Sequence, residues 1–155
     1  MTSQQAAAPP SAQKIQSRQV RLRRASLAIL IALIVQFALG IGVNLYVTLP
    51  TAGRPGHSSW FGNGALLALH AALGMFLILA AIALLVRAIM AGNVTLIATS
   101  AAGLAAIVLA FFFGATFAEK LTDGYSLGMA IAFAVALACY AIGLYALTAR
   151  RGGPS

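Results

Sequence analysis

Two apolar runs decide the fold: ASLAILIALIVQFALGIGVNLYV at residues 25–47 and, across a loop, ALLALHAALGMFLILAAIALLV at 65–86. A helix rises about 1.5 Å per residue, so roughly 20 apolar residues cross the 30 Å hydrocarbon layer of a bilayer. Both runs are long enough. Two further runs follow, VTLIATSAAGLAAIVLAFFFGATF at 94–117 and YSLGMAIAFAVALACYAIGLYALT at 125–148. The connections, 48–64, 87–93 and 118–124, are short and force antiparallel neighbours. The expected fold is all-α, an integral membrane up-down four-helix bundle over residues 25–149. It is flanked by a disordered basic cytoplasmic tail at 1–24 and a cytoplasmic tail at 150–155.

Composition agrees with this reading. The chain has 155 residues, 61% hydrophobic and only 8% charged, too few charges to cover a water-soluble domain of this size. Its formal charge is +8, but the basic residues flank the spans instead of clustering with stacking aromatics, so nucleic acid is not an expected partner. Residues 1–13, rich in Ala, Pro, Gln and Ser, lack apolar periodicity. Lys14, Arg18, Arg21, Arg23 and Arg24 follow, interleaved with Ile15, Val20 and Leu22, in a stretch able to extend the first helix into the membrane interface and to meet anionic lipid head groups. The first run is longer than the core of a cleavable signal peptide and reads as a retained anchor.

Orientation comes from counting Lys and Arg. The N-terminal tail, second connection and C-terminus hold Lys14, Arg18, Arg21, Arg23, Arg24, Arg87, Arg150 and Arg151; the first and third connections hold only Arg54 and Lys120. The positive-inside bias places both termini in the cytoplasm, in a multi-pass protein of the plasma (inner) membrane. Trp60, Phe61, Tyr46 and Tyr125 then fall at the outer interface, where amphipathic rings are favoured.

Helices in lipid associate through small residues that let backbones approach. Gly40, Gly42, Ala71, Gly74, Gly103 and Gly114 supply such positions, and Gly128, Ala132 and Ala136 form a ridge on one face of the fourth helix. Cys139, the single cysteine, lies within that helix and reads as a buried structural thiol.

The strongly polar side chains inside the spans are Gln36, Asn44 and His70, and polar groups in hydrocarbon are functional candidates. Counted from the outer ends of the spans, Asn44 lies about 5 Å deep, His70 about 7 Å, Gly40 about 10 Å and Gln36 about 16 Å, with Gly114 and Met129 at about 5 and 6 Å. One layer thus gathers an imidazole, an amide, a thioether and two glycines. Imidazole and thioether are haem-iron ligands, glycines make room for a flat macrocycle, and Gln36 or Asn44 suits the non-coordinating nitrogen of His70. The same residues are also explained by a membrane histidine satisfied by Asn44 or a backbone carbonyl with no cofactor, and Met129 by gap filling. His57 sits in a glycine-rich loop and reads as solvated.

The stretch Gln36-Phe37-Ala38-Leu39-Gly40, with Val43 following and His70 opening the next helix in LHAALG, resembles a helical hairpin of haem A synthase-type membrane proteins. The resemblance covers residues 30–86 and implies His70 as an axial haem ligand. Family members carry a second ligand histidine and an acid near it; no such residues occur within the spans here, so bis-histidine ligation implies a second copy in a dimer. Phe111-Phe112-Phe113-Gly114 echoes Phe37-Ala38-Leu39-Gly40, with Ala110 standing where Gln36 does and no counterpart to His70. The hairpin is similar also to that of small actinobacterial four-helix membrane proteins, which implies no activity.

Other chemistries lack their residues. The only acids, Glu119 and Asp123, lie in the third connection, whereas proton-coupled transport usually places a carboxylate within the membrane. Glu119, Lys120 and Asp123 read as a solvated turn, with Asp123 or Ser126 as a helix cap. There is no phosphate-binding Gly-Lys loop, paired-cysteine motif or zinc-protease helix, and Ser100 and Ser126 have no neighbouring base. Two classes of function remain: a structural or accessory membrane protein that packs against partner helices or a second copy of itself, and a haem- or quinone-associated redox bundle using His70; no motif fixes a reaction. The first is the expectation and the second the alternative.

Overall fold

The computed structural model describes residues 10–46, 63–120 and 122–149. These form four helices, α1 (Pro10–Tyr46), α2 (Asn63–Met90), α3 (Val94–Lys120) and α4 (Asp123–Ala149), each long and apolar enough to cross a membrane. Trp60, Phe61, His57, Arg54 and both chain ends lie outside the described residues. Packing runs around a ring, α1 on α2, α2 on α3, α3 on α4 and α4 on α1. The diagonal pairs, α1 with α3 and α2 with α4, do not approach within 8 Å between Cα atoms.

The helices run further than the expected spans. α1 starts at Pro10, so the basic stretch assigned to a disordered tail is helical from there on, as the apolar residues interleaved with its charges allow. At 37 residues α1 is about 55 Å long and overshoots the other three, which run to about 40 Å. α2 continues to Met90, which shortens the second connection to Ala91–Asn93.

That connection is closed by its own hydrogen bonds. Gly92 N–H donates to the Ile89 carbonyl (3.0 Å) and Asn93 N–H to the Ala88 carbonyl (3.3 Å), the pair of bonds that satisfies the end of a helix. The residue between the two donors' targets and the next helix must take φ > 0, and Gly92 does so at 63°. Asn93 then caps α3, its Oδ1 accepting from Leu96 N–H at 3.2 Å. At the other end of α3, the Thr122 carbonyl, just before α4, accepts from Tyr125 N–H at 3.0 Å. Lys120 Nζ lies 5.6 Å from the Tyr125 ring centre, within reach of a cation–π contact.

The interior is lined by Leu22, Ser26, Ile29, Leu33 and Gln36 of α1, Leu77, Ala81, Leu84 and Ala88 of α2, Leu96, Ser100, Gly103 and Ile107 of α3, and Ala132, Ala136, Tyr140, Gly143 and Leu147 of α4. Their spacing of three and four residues keeps one stripe of each helix inward. The outward stripes are apolar as well: Ile31, Ile34, Leu45, Phe76, Leu79, Phe112, Ile131 and Ile142 are all exposed. Both faces being apolar is the pattern of helices with no aqueous side.

Close approach of the helices depends on glycine, most tightly between α3 and α4. A Cβ placed on Gly103 would lie 2.7 Å from the ring of Tyr140, and one on Gly143 2.7 Å from Thr99 Oγ1. The ridge Gly128, Ala132 and Ala136 faces inward, and a Cβ placed on Gly128 would lie 3.3 Å from the Phe113 ring. Cys139 is half-buried and free.

Candidate functional site

Gln36 and His70 meet across the α1–α2 pair. The Gln36 amide Nε2 donates to the His70 backbone carbonyl at 3.0 Å. A helical carbonyl keeps a second lone pair beside its own i+4 bond, but a side chain at i+4 ordinarily screens it. Here the i+4 residue is Gly74, whose missing Cβ would stand 3.2 Å from Gln36 Nε2. Gly74 therefore opens the His70 carbonyl to a neighbouring helix. The reciprocal notch is Gly40, one turn from Gln36, where a Cβ would lie 3.2 Å from His70 Cε1. Each polar side chain thus rests against a glycine of the opposite helix, and the pair is locked twice.

The amide also reaches the histidine ring. Bonding to a carbonyl places nitrogen, not oxygen, on that side of Gln36, and the same nitrogen lies 3.4 Å from His70 Nε2. An amide nitrogen can only donate, so in the tautomer that makes this contact a hydrogen bond Nε2 accepts and the proton of a neutral ring sits on Nδ1. Two atoms are left over: His70 Nδ1, a donor in that tautomer, and Gln36 Oε1, an acceptor, are buried with no hydrogen-bond partner among the described residues.

Gly114 and Met129 make a parallel contact in the α3–α4 pair, a Cβ on Gly114 lying 3.1 Å from the Met129 sulfur. The tight turn at Gly92 folds α3 back so that Gly114 comes level with His70, and the four residues Gly40, His70, Gly114 and Met129 share one level of the bundle. His70 and Met129 stand on diagonal helices there, on opposite sides of the interior. Each is lodged in a glycine notch of its adjoining helix. Asn44, two turns from Gln36 at the end of α1, is exposed and does not join them. No group of three potential metal-ligating side chains occurs among the described residues.

No protein-family model, curated protein or solved structure matches the chain. The site's chemistry therefore rests on its own atoms. His70 and Met129 are donors toward haem iron in kind, while the space at Gly40 and Gly114 is taken by those same two side chains.

Gly74 was legible in sequence as a packing residue, but its service to the His70 carbonyl was not, because that needs the register of two helices. Tyr140 and its notch at Gly103 carried one signal: a tyrosine far from either end of an apolar span, away from the interfaces this residue favours.

Proposed function

We propose that the chain is an accessory protein of the plasma (inner) membrane, crossing it four times with both termini in the cytoplasm, and that it works by docking its lipid-facing surface against partner helices or a second copy. The observation that carries this is how the small residues divide. Gly40, Gly74, Gly103, Gly114, Gly128 and Gly143 are each occupied by a side chain from within the chain. Ala130, Ala134 and Ala138 of α4 are instead exposed, four residues apart on one outward stripe. Small-xxx-small spacing is what lets two membrane helices approach closely. The internal notches hold the bundle together and the external stripe is left for another helix.

Gentle detergent extraction tests this reading. With Cys139→Ala removing the native thiol, an Ala134→Cys variant is expected to cross-link to a second copy or to a companion membrane protein. A monomer that carries no companion and forms no cross-link refutes it.

A second reading, a haem- or quinone-associated redox bundle, draws support from the partnerless Nδ1 of His70. In it a quinone carbonyl would accept from Nδ1–H; alternatively, with the ring proton moved to Nε2 and the Nδ1 lone pair freed, His70 and Met129 would hold the iron and haem would supply one-electron redox chemistry. The visible spectrum of protein produced with ample haem decides the haem case: a Soret band lost in His70→Ala supports it, and a colourless protein ends it.

A further inference from the structure

The two-helix contacts define a register for the whole ring. Gln36 faces Gly74, so Ser26, about three turns nearer Arg24, comes level with Leu84. The turn at Gly92 brings Leu84 level with Ser100, and the contacts of Gly143 with Leu96 and Thr99 bring Ser100 level with Tyr140. One layer therefore holds Ser26, Leu84, Ser100 and Tyr140, one from each helix. Three of the four carry hydroxyls. They are among the most buried side chains of the protein, at 1%, 0% and 2% exposure, and none of the three oxygens has a hydrogen-bond partner among the described residues.

Such groups do not stay unpaired in an apolar interior without cost, about 1–3 kcal/mol for each hydroxyl. The usual remedy in a helix is a bond to the carbonyl three or four residues back, and this protein uses it at Thr99, Thr116 and Thr148, with distances of 3.0, 2.9 and 2.7 Å. Ser26 and Ser100 depart from that habit. Tyr140 has no such remedy, since its hydroxyl lies at the far end of a ring seated over Gly103. Nor do the serines satisfy each other: they stand on diagonal helices whose Cα atoms stay more than 8 Å apart, beyond the span of two serine side chains and a hydrogen bond. A small molecule able both to donate and to accept would satisfy them.

We propose that Ser26, Ser100 and Tyr140 form a water-binding site inside the bundle, in the half nearer Arg24. Three hydroxyls give a bound water the two to four polar partners that internal waters have, and serine at two of the four positions leaves it room where leucine fills neighbouring layers. Ser26 lies fourteen residues along α1 from Gly40, about 21 Å at the helical rise, so the site is separate from the His70 level.

Two measurements test it on the full chain in lipid bilayers. Proton-detected NMR is expected to show transfer from water to the amides of Ser100 and Tyr140, with no such transfer to the amides of Leu33 and Leu77 in the dry layer above. In unfolding measurements, Ser100→Ala and Tyr140→Phe are expected to be coupled: each alone lowers the unfolding equilibrium constant's reciprocal, the folded-to-unfolded ratio, about fivefold, and the double variant loses less than the product of the two. Absence of the water transfer overturns the proposal, whether or not the substitutions couple, because a direct hydroxyl contact couples without water. Substitutions that leave stability unchanged or raise it, independently of each other, overturn it too, since they identify the hydroxyls as isolated.

Discussion

Replacing Gly103 with alanine adds one methyl group where the structure has least room for it. The new Cβ would stand 2.7 Å from Tyr140 Cε2 and 2.9 Å from Cζ, whereas carbon atoms in contact sit about 3.5–4.0 Å apart. Ring and helix must separate by roughly 0.8 Å. Tyr140 is 2% exposed and packed in the same core as Leu33, Leu77 and Ala136, so its ring cannot swing aside without moving them. Overpacking of this kind costs about 1–3 kcal/mol, and alanine's better helix propensity returns up to about 1. The expected net loss is about 1–2 kcal/mol, a factor of about 5–30 in the folding equilibrium. Gly124→Ala serves as the control, because nothing lies within 4 Å of its Cβ position. Gly143→Ala is expected between the two, since its nearest neighbour, Thr99 Oγ1 at 2.7 Å, is a rotatable hydroxyl. Titration with a denaturing detergent, followed by tyrosine fluorescence and circular dichroism, reads the order of the three midpoints. In a Tyr140→Leu background, the alanine at 103 should cost nothing further. A Gly103→Ala protein as stable as Gly124→Ala would show that the α3–α4 contact is not the tight one described.

Three other outcomes follow from the same geometry. Gly74→Ala pushes the Gln36 amide off the His70 carbonyl and is expected to cost about 0.5–1.5 kcal/mol, and nothing when Gln36→Ala is already present; equal costs in both backgrounds contradict the notch. Asn93→Ala removes the cap of α3 and should lower stability by about 1 kcal/mol, with exchange of the Leu96 amide accelerated, while unchanged exchange there speaks against the cap. For topology, in a Cys139→Ala background, Lys120→Cys should react with a membrane-impermeant maleimide added to intact cells, and Arg87→Cys only after the membrane is opened; the reverse order inverts the proposed orientation.

The four helices were readable from sequence because each contains a predominantly apolar run of more than 20 residues with no charged side chain, as a membrane-spanning helix requires. Their ends were less so. α2 runs past Val86, where the apolar run was ended, to Met90 because the stop signal is Gly92 with Asn93, a turn-and-cap pair that lies inside the stretch set aside as a connection. At the candidate site, depth along the helices brought Gly40, His70, Gly114 and Met129 to one level, since rise per residue is nearly constant. Which side chain faces which glycine was not available from depth, because it depends on helix rotation and on neighbour order around the ring. Asn44 shows the difference: its depth was compatible with the layer, but it points outward and is exposed. Ser26, Ser100 and Tyr140 escaped for the same reason, being unremarkable apart and a group only when the register of all four helices is known.

The interior of this bundle is organised by a single device repeated at several levels, a large or polar side chain of one helix set against a glycine of the next. Gln36 and His70 use it twice over in α1–α2; Tyr140, Met129 and Phe113 use it in α3–α4. Without a hydrophobic force between helices in lipid, contact must come from packing and from hydrogen bonds such as that of Gln36 to the His70 carbonyl. The device explains why glycines that looked suited to a flat cofactor are needed even in its absence: removing any of them separates two helices. It also moves the search for function outward. An interior whose notches are filled by the chain's own side chains leaves two features without an internal purpose, the partnerless atoms of the His70 pair and the alanine stripe of α4. The stripe is the broader of the two and is exposed, so a second helix can reach it with no rearrangement of the bundle.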